Sequence, residues 1–344
     1  MRATRFLGPI LLLGLALPAC AGPDDVDDVE VGKQSTELRV VLSLDRAAYG
    51  AQDQVVASVS ITNVGRSTAK LLSWALPQAD LEEPVFRLTV DGHSVPYVGA
   101  HYKRPRAEES DFVQLKAGET LSRSVDLGLF YDLSQSGAYS FRVDVESASS
   151  NTVSASVEGR AAKPSPPPPE PTDGPLTFSN CTLDQQQQAA EAAGVAGDMS
   201  DSALAYLTGT APGPTQRYTT WFGGFSSAGW DTATDHYGAI SDAFATQHVN
   251  IDCKCKKKYY AYVYPNRPYE IFVCKVFWTA PMSGTDSKGG TLVHEMSHFD
   301  VTAGTDDWAY GQSACKSLAL SDPERALDNA DSHEYFAENT PALP

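Results

Sequence analysis

Positive charge is scarce in this sequence: 26 Lys and Arg stand against 43 Asp and Glu, a formal net charge of −17. A nucleic-acid binder normally shows the opposite sign, so that class is excluded, and the field favours approach of basic, lysine-rich molecules instead. Long apolar runs are equally scarce. The only one, Phe6–Ala16, follows Arg2 and Arg5 and precedes the small residues Ala19, Cys20 and Ala21. It is too short to span a bilayer and has the grammar of a signal peptide, so no transmembrane segment is expected. Residues 1–21 are expected to leave by cleavage after Ala21, with lipidation at Cys20 as the alternative. The remainder would then work outside the cytoplasm, secreted or held at the cell surface by that lipid.

Cysteine is the third scarcity. Once Cys20 is set aside, Cys181, Cys253, Cys255, Cys274 and Cys315 remain, a number that in an exported chain suggests two disulfides and one leftover thiol. The spacing Cys253-Lys254-Cys255 is too tight for a zinc knuckle or a thioredoxin-type pair.

What is present suffices for two cores: 344 residues, 42% of them hydrophobic. Residues 36–160 alternate apolar and polar positions in the runs Leu38–Leu44, Gln54–Thr62, Val85–Val90 and Tyr139–Val145, separated by turns such as Asp91-Gly92 and Ser136-Gly137. That pattern predicts an antiparallel β-sandwich. It holds no cysteine and only His93 and His101 as imidazoles, so no catalytic constellation is expected there. Residues 161–176 are a proline-rich linker of extended polyproline type. Residues 177–344 change grammar. Helices are predicted at Gln185–Leu207, Thr291–Phe299 and Asp322–Asn339, with a hairpin from Tyr259–Tyr264 and Glu270–Trp278 around Pro265–Pro268. The fold class is therefore multidomain, a β-sandwich followed by a mainly helical α+β domain.

The chemistry is concentrated in His294-Glu295-Met296-Ser297-His298. Positions i and i+4 share a helical face, so both imidazoles can bind one metal while Glu295 serves water at its open position. Zinc lowers the pKa of bound water toward 7, and Glu295 is then the general base as that water attacks a carbonyl. A catalytic zinc needs a third protein ligand. Gly304 can turn the chain back after the helix, which makes Asp306 or Asp307 the candidate, and spacing alone does not separate the two.

Gly304, Thr305, Asp307, Tyr310 and Gly311, placed after the HExxH motif, make the sequence resemble the aspzincins, the deuterolysin family of metalloendopeptidases. The resemblance implies one Zn²⁺ on His294, His298 and Asp307, and Tyr310 as hydroxyl donor to the tetrahedral oxyanion. Arg217–Gly223, Ala261–Arg267, Gly284–Ser287, Thr291–Glu295 and Asn329–Asn339 are similar to the peptidyl-Lys branch of that family. That similarity implies cleavage on the amino side of lysine in protein or peptide substrates, with Asp331 and Glu334 lining the lysine pocket. Their i, i+3 spacing would let both carboxylates converge on one ammonium. It also implies the disulfides Cys181–Cys253 and Cys255–Cys274, leaving Cys315 without an assigned partner.

The resemblance further implies that the sandwich is a prodomain, which would assist folding or block the cleft until the linker is cut, with Lys163 as a conceivable self-cleavage point. Two other readings remain at this level: an aspzincin of broader specificity, and a non-catalytic secreted binding protein with a structural metal.

Overall fold

Strand alternation decides which residues of the N-terminal half face inward. In Val56–Asn63, Ala57, Val59, Ile61 and Asn63 are buried while the residues between them are less so. The computed structural model describes residues 37–160 and 176–344. The expected signal segment 1–21 and residues 161–175 of the linker lie outside the described residues.

Leu38–Leu44, Val56–Asn63 and Thr120–Asp126 form a three-stranded antiparallel sheet. A second sheet runs Ala48–Tyr49, Val153–Val157, Gly137–Val145, Phe86–Val90, His93–Ser94. Leu42, Val59, Ile61, Leu88, Phe141 and Val143 from both sheets share one core, which is how two half-solvated sheets bury their apolar faces.

The C-terminal region is richer in helix: α1 (Leu183–Gly209), α2 (Gln216–Phe222), α3 (Ser227–Thr246), α4 (Lys288–Ser297), α5 (Gln312–Ser321), α6 (Pro323–Leu327) and α7 (Ala330–Glu338). Thr182 caps α1 through a reciprocal box with Gln185, and the small residues Ala189, Ala192, Ala196 and Ala203 bury one face of it. These small side chains let α1 approach α4 closely. Gly289 of α4 has no room for a side chain, because a Cβ there would stand 2.6 Å from Val195.

The helix expected over Asp322–Asn339 is broken instead into α6 and α7. Asn329 at the break has extended backbone, and its side-chain oxygen accepts from Trp308 N at 2.8 Å and Ala309 N at 2.9 Å. A short amide serving a neighbouring loop competes with helix continuation, a preference that helical periodicity does not show.

A five-stranded sheet carries the site. Its order is Leu176–Ser179, Val249–Asp252, Glu270–Val273, Ala261–Val263, His101–Lys103. The fifth strand comes from the N-terminal half and pairs antiparallel with the outer strand of the expected hairpin, Lys103 facing Ala261 and His101 facing Val263. The described residues 37–160 and 176–344 accordingly belong to one compact unit. Cys181 is bonded to Cys253 and Cys255 to Cys274, the first tying the start of α1 to the sheet. Cys315 is a buried free thiol.

Candidate active site

Helix α4 is buried along its whole length, which fixes both motif histidines in the interior. Ser287 caps it, its hydroxyl accepting from Gly290 N at 2.9 Å. The carboxylate of Glu338, at the end of α7, accepts from Ser287 N at 2.9 Å and from Asp286 N at 3.2 Å. This clamp packs α7 onto the start of α4 and requires glycine at 290, where a Cβ would lie 2.1 Å from the Glu338 carboxylate.

The Nδ1 of His298 has a hydrogen-bond partner, and a carboxylate stands close to the Nδ1 of His294. His298 Nδ1 bonds the Thr305 carbonyl at 2.6 Å, and Asp331 Oδ1 lies 2.8 Å from His294 Nδ1. Both Nε2 atoms are thereby directed at one another, 3.1 Å apart. The chain turns back after α4 through Gly304, in the left-handed region at φ 60°, and Thr305 N returns to the Ser297 carbonyl at 3.1 Å. Asn329 then grips the next turn, and Asp306 N bonds the Asp328 carbonyl at 2.8 Å.

The outcome is that Asp307 enters the interior while Asp306 stays partly exposed, so the structure separates the two candidates that spacing left open. Asp307 Oδ1 lies 3.3 Å from His294 Nε2, and Oδ2 lies 3.5 Å from His298 Nε2. Bonds of about 2.0–2.2 Å to a tetrahedral metal put ligand atoms roughly 3.3–3.6 Å apart. The two separations to the Asp307 oxygens fall within that range and the 3.1 Å between the imidazoles just below it. Asp307 Oδ1 and both oxygens of Glu295 are buried without a hydrogen-bond partner, a costly arrangement for a site that holds no cation.

Burial disfavours the charge of His294, yet Asp307, Asp331 and Glu334 outweigh it and hold its imidazole well above the usual range. Burial disfavours the charge of Asp307, yet His298 and His294 outweigh it and hold the carboxyl well below its usual range. Burial pushes Glu295 up to about 8 and His298 down to about 3. His236 and His333 bond to each other at 3.0 Å, and His248 bonds Thr177; none of the three joins the donor set.

Asp331 and Glu334 do converge on one ammonium, and it belongs to this chain. Lys103, 1% exposed, places Nζ 3.2 Å from Asp331 Oδ1, 3.6 Å from Asp286 Oδ1 and in contact with Glu334 Oε2. Burial opposes the ammonium, but the three carboxylates overcome it and raise its pKa well above that of a free lysine. Asp331 therefore touches both the ammonium and His294, a double contact that the i, i+3 spacing did not announce.

Tyr310 points its hydroxyl at the Tyr102 carbonyl, 3.1 Å away, and at Glu83 Oε1, 3.2 Å away. Arg104 donates to that hydroxyl at 2.8 Å and also to Glu83. The N-terminal half, in which no catalytic constellation is expected, nevertheless brings side chains to the site. His101 is buried, with its ring 4.8 Å from that of His298, and it offers a nitrogen within 4.8 Å of ligand atoms on His298 and Asp307. His101 and Lys103 escaped sequence reasoning because histidine and lysine in an alternating β segment look like solvated residues; the one available signal was a lysine inside a chain that itself resembles a lysine-directed enzyme.

Two imidazoles and a carboxylate facing one point, with an unpartnered buried glutamate beside them, are the working parts of a metallopeptidase. Residues 207–338 match the aspzincin family model, described as lysine-specific metallo-endopeptidase. The chain is 38% identical over 314 residues to an extracellular protease of Aeromonas hydrophila, covering 85% of this chain and 90% of that one. It is 35% identical over 333 residues to the peptidyl-Lys metalloendopeptidase of Grifola frondosa, covering 89% and 93%. A third relative, the peptidyl-Lys metalloendopeptidase of Pleurotus ostreatus, is 46% identical over 168 residues, covering 48% of this chain and 99% of that one. The chain belongs to the aspzincin family and is a metalloendopeptidase.

Proposed function

We propose that the chain is a secreted zinc endopeptidase that hydrolyses peptide bonds on the amino side of lysine. The observation that carries this reading is the seat of Lys103, whose ammonium meets Asp331 and Glu334 while the preceding carbonyl meets the Tyr310 hydroxyl. One peptide unit of this chain thus lies in the cleft in the register that such a cut requires.

His294, His298 and Asp307 would hold the zinc, a nitrogen–nitrogen–oxygen set suited to a catalytic site with an open place. When bound, the metal supplies an activated water and polarises the carbonyl. Glu295 takes the proton of the attacking water and delivers it to the departing lysine amine. Tyr310 donates to the carbonyl oxygen as negative charge develops there. Asp331 and Glu334 select lysine by pairing with its ammonium, and Asp331 also keeps His294 in its ligating orientation.

Two disulfides and the similarity to a protein named as an extracellular protease support secretion. A propeptide role for residues 36–160 is supported by their occupation of the cleft and by a relative of about half this length bearing the peptidyl-Lys name. The test is mass spectrometry of a denatured protein mixture digested by the processed enzyme. Peptides beginning with Lys, lost on chelation and absent with Glu295→Gln, are expected. Metal-dependent cuts without lysine at the new N-termini would overturn the specificity.

A further inference from the structure

A substrate is recognised at an exposed sheet edge by adding a strand, with backbone bonds giving affinity and side-chain pockets giving selectivity. His101–Lys103 does this to the edge strand Ala261–Val263. The Tyr102–Lys103 peptide bond lies between two groups of the machinery. Its carbonyl oxygen receives the Tyr310 hydroxyl at 3.1 Å. The lysine after it fills the pocket, its ammonium also lying 5.1 Å from the Tyr260 ring centroid.

Two features distinguish this strand from a substrate ready to be cut. The first is Arg104, immediately after the lysine, whose guanidinium is buried against Glu82, Glu83 and Tyr310. With Lys257 and Tyr259 bonding Glu82 at 2.6 Å each, it ties the segment to both halves of the protein. The second is His101, whose buried imidazole stands beside His298 and Asp307. A three-ligand metal keeps its fourth position for water, and a fourth protein ligand makes a closed site.

We propose that residues 101–104 are a tethered inhibitor bound in substrate register, and that His101 is the fourth metal ligand of the full-length chain, so that the Tyr102–Lys103 bond is held in place uncut. The proposal rests on the reading of the cleft as a lysine-directed metallopeptidase site. Its two parts divide the work. Lys103 gives the strand the affinity of a substrate, and His101 denies it the water a substrate needs. Cutting the linker alone would leave this strand its pairing with Ala261–Val263 and its contacts with Asp331, Glu334 and Tyr310. Activation then requires the 101–104 segment itself to be withdrawn or destroyed.

The test uses the full-length chain with Co²⁺ in place of the native metal and reads the visible bands of the ion, with azide as the probe for an open position. The wild-type bands are expected to ignore azide. His101→Ala should make them respond, and added imidazole should restore the wild-type spectrum, which also shows that the variant is folded. With zinc, the same variant should accumulate a fragment whose new N-terminus is Lys103, and the wild type should not. If azide shifts the wild-type bands as it does those of His101→Ala, the proposal is overturned, and that result needs no variant to fold. Azide-sensitive bands in the variant together with cuts that ignore lysine would leave His101 as ligand and overturn the lysine reading instead.

Discussion

Replacing Glu334 by Gln should cost the processed enzyme most of its rate on lysine substrates while leaving its metal in place. On the proposed specificity a substrate lysine would take the place of Lys103, which has contact with Glu334, Asp331 at 3.2 Å and Asp286 at 3.6 Å, in a pocket where the ammonium is almost entirely hidden from water. Removing one partner of a buried ion pair costs about 3–5 kcal/mol. Two carboxylates remain in the variant, so the lower end applies, and about 3 kcal/mol corresponds to roughly a 150-fold fall in kcat/KM. Glu334 Oε2 also lies 3.5 Å from His294 Nδ1, whereas Asp331 is closer at 2.8 Å, so the neutral amide should leave His294 oriented. The assay is kcat/KM on a peptide with lysine after the scissile bond and on its norleucine counterpart, with zinc content measured alongside. The lysine peptide should lose its advantage and the norleucine peptide should change little. Turnover of the lysine peptide within threefold of wild type, with zinc content unchanged, would refute the reasoning.

Three further outcomes follow from the same contacts. Asn329→Ala removes the acceptor for Trp308 N and Ala309 N, which at about 1 kcal/mol per bond should lower stability by roughly 2 kcal/mol and weaken zinc retention by loosening the Asp307 loop; a chelator titration showing wild-type retention would contradict this. Gly290→Ala puts a Cβ 2.1 Å from the Glu338 carboxylate, so thermal unfolding should show a loss of about 1–3 kcal/mol, and an unchanged Tm would refute the clamp. Glu338 is pushed up to about 8, by burial first and by the charge of Glu334 next. Its folded pKa exceeds its unfolded one, so the fold binds the extra proton and stability should decline as pH rises from about 4.5 to about 8. Glu338→Gln should flatten that decline, and a wild-type-to-variant difference in Tm that does not change with pH would sink the assignment.

The sequence carried the parts of this protein whose chemistry is local. His294, Glu295 and His298 were readable because a helix converts a five-residue spacing into one face. Asp331 and Glu334 came from the resemblance to the peptidyl-Lys branch, their spacing merely allowing them to converge, and the structure puts both on one ammonium. The strand runs were legible because one face of each is dry. What escaped is non-local. Spacing alone could not separate Asp306 from Asp307, and the resemblance that did so gave no physical reason: Asn329, more than twenty residues later, accepts from Trp308 N and Ala309 N and holds the loop around them. The break between α6 and α7 was hidden for the same reason. His101, Lys103 and Arg104 were hidden most completely, since nothing in a strand's own periodicity reports that it will complete the sheet of another half of the chain and bury a lysine among three carboxylates.

The central claim is that a metal held by His294, His298 and Asp307 drives cleavage before a lysine read by its charge. The most direct measurement is turnover by processed enzyme, stripped of metal and then reloaded with zinc, on two peptides identical except for lysine or norleucine after the scissile bond. The account predicts no turnover of either peptide without metal, and restored cleavage of the lysine peptide at rates at least a hundredfold above the norleucine peptide. Equal cleavage of the two peptides, or cleavage that persists in the stripped enzyme, would contradict it.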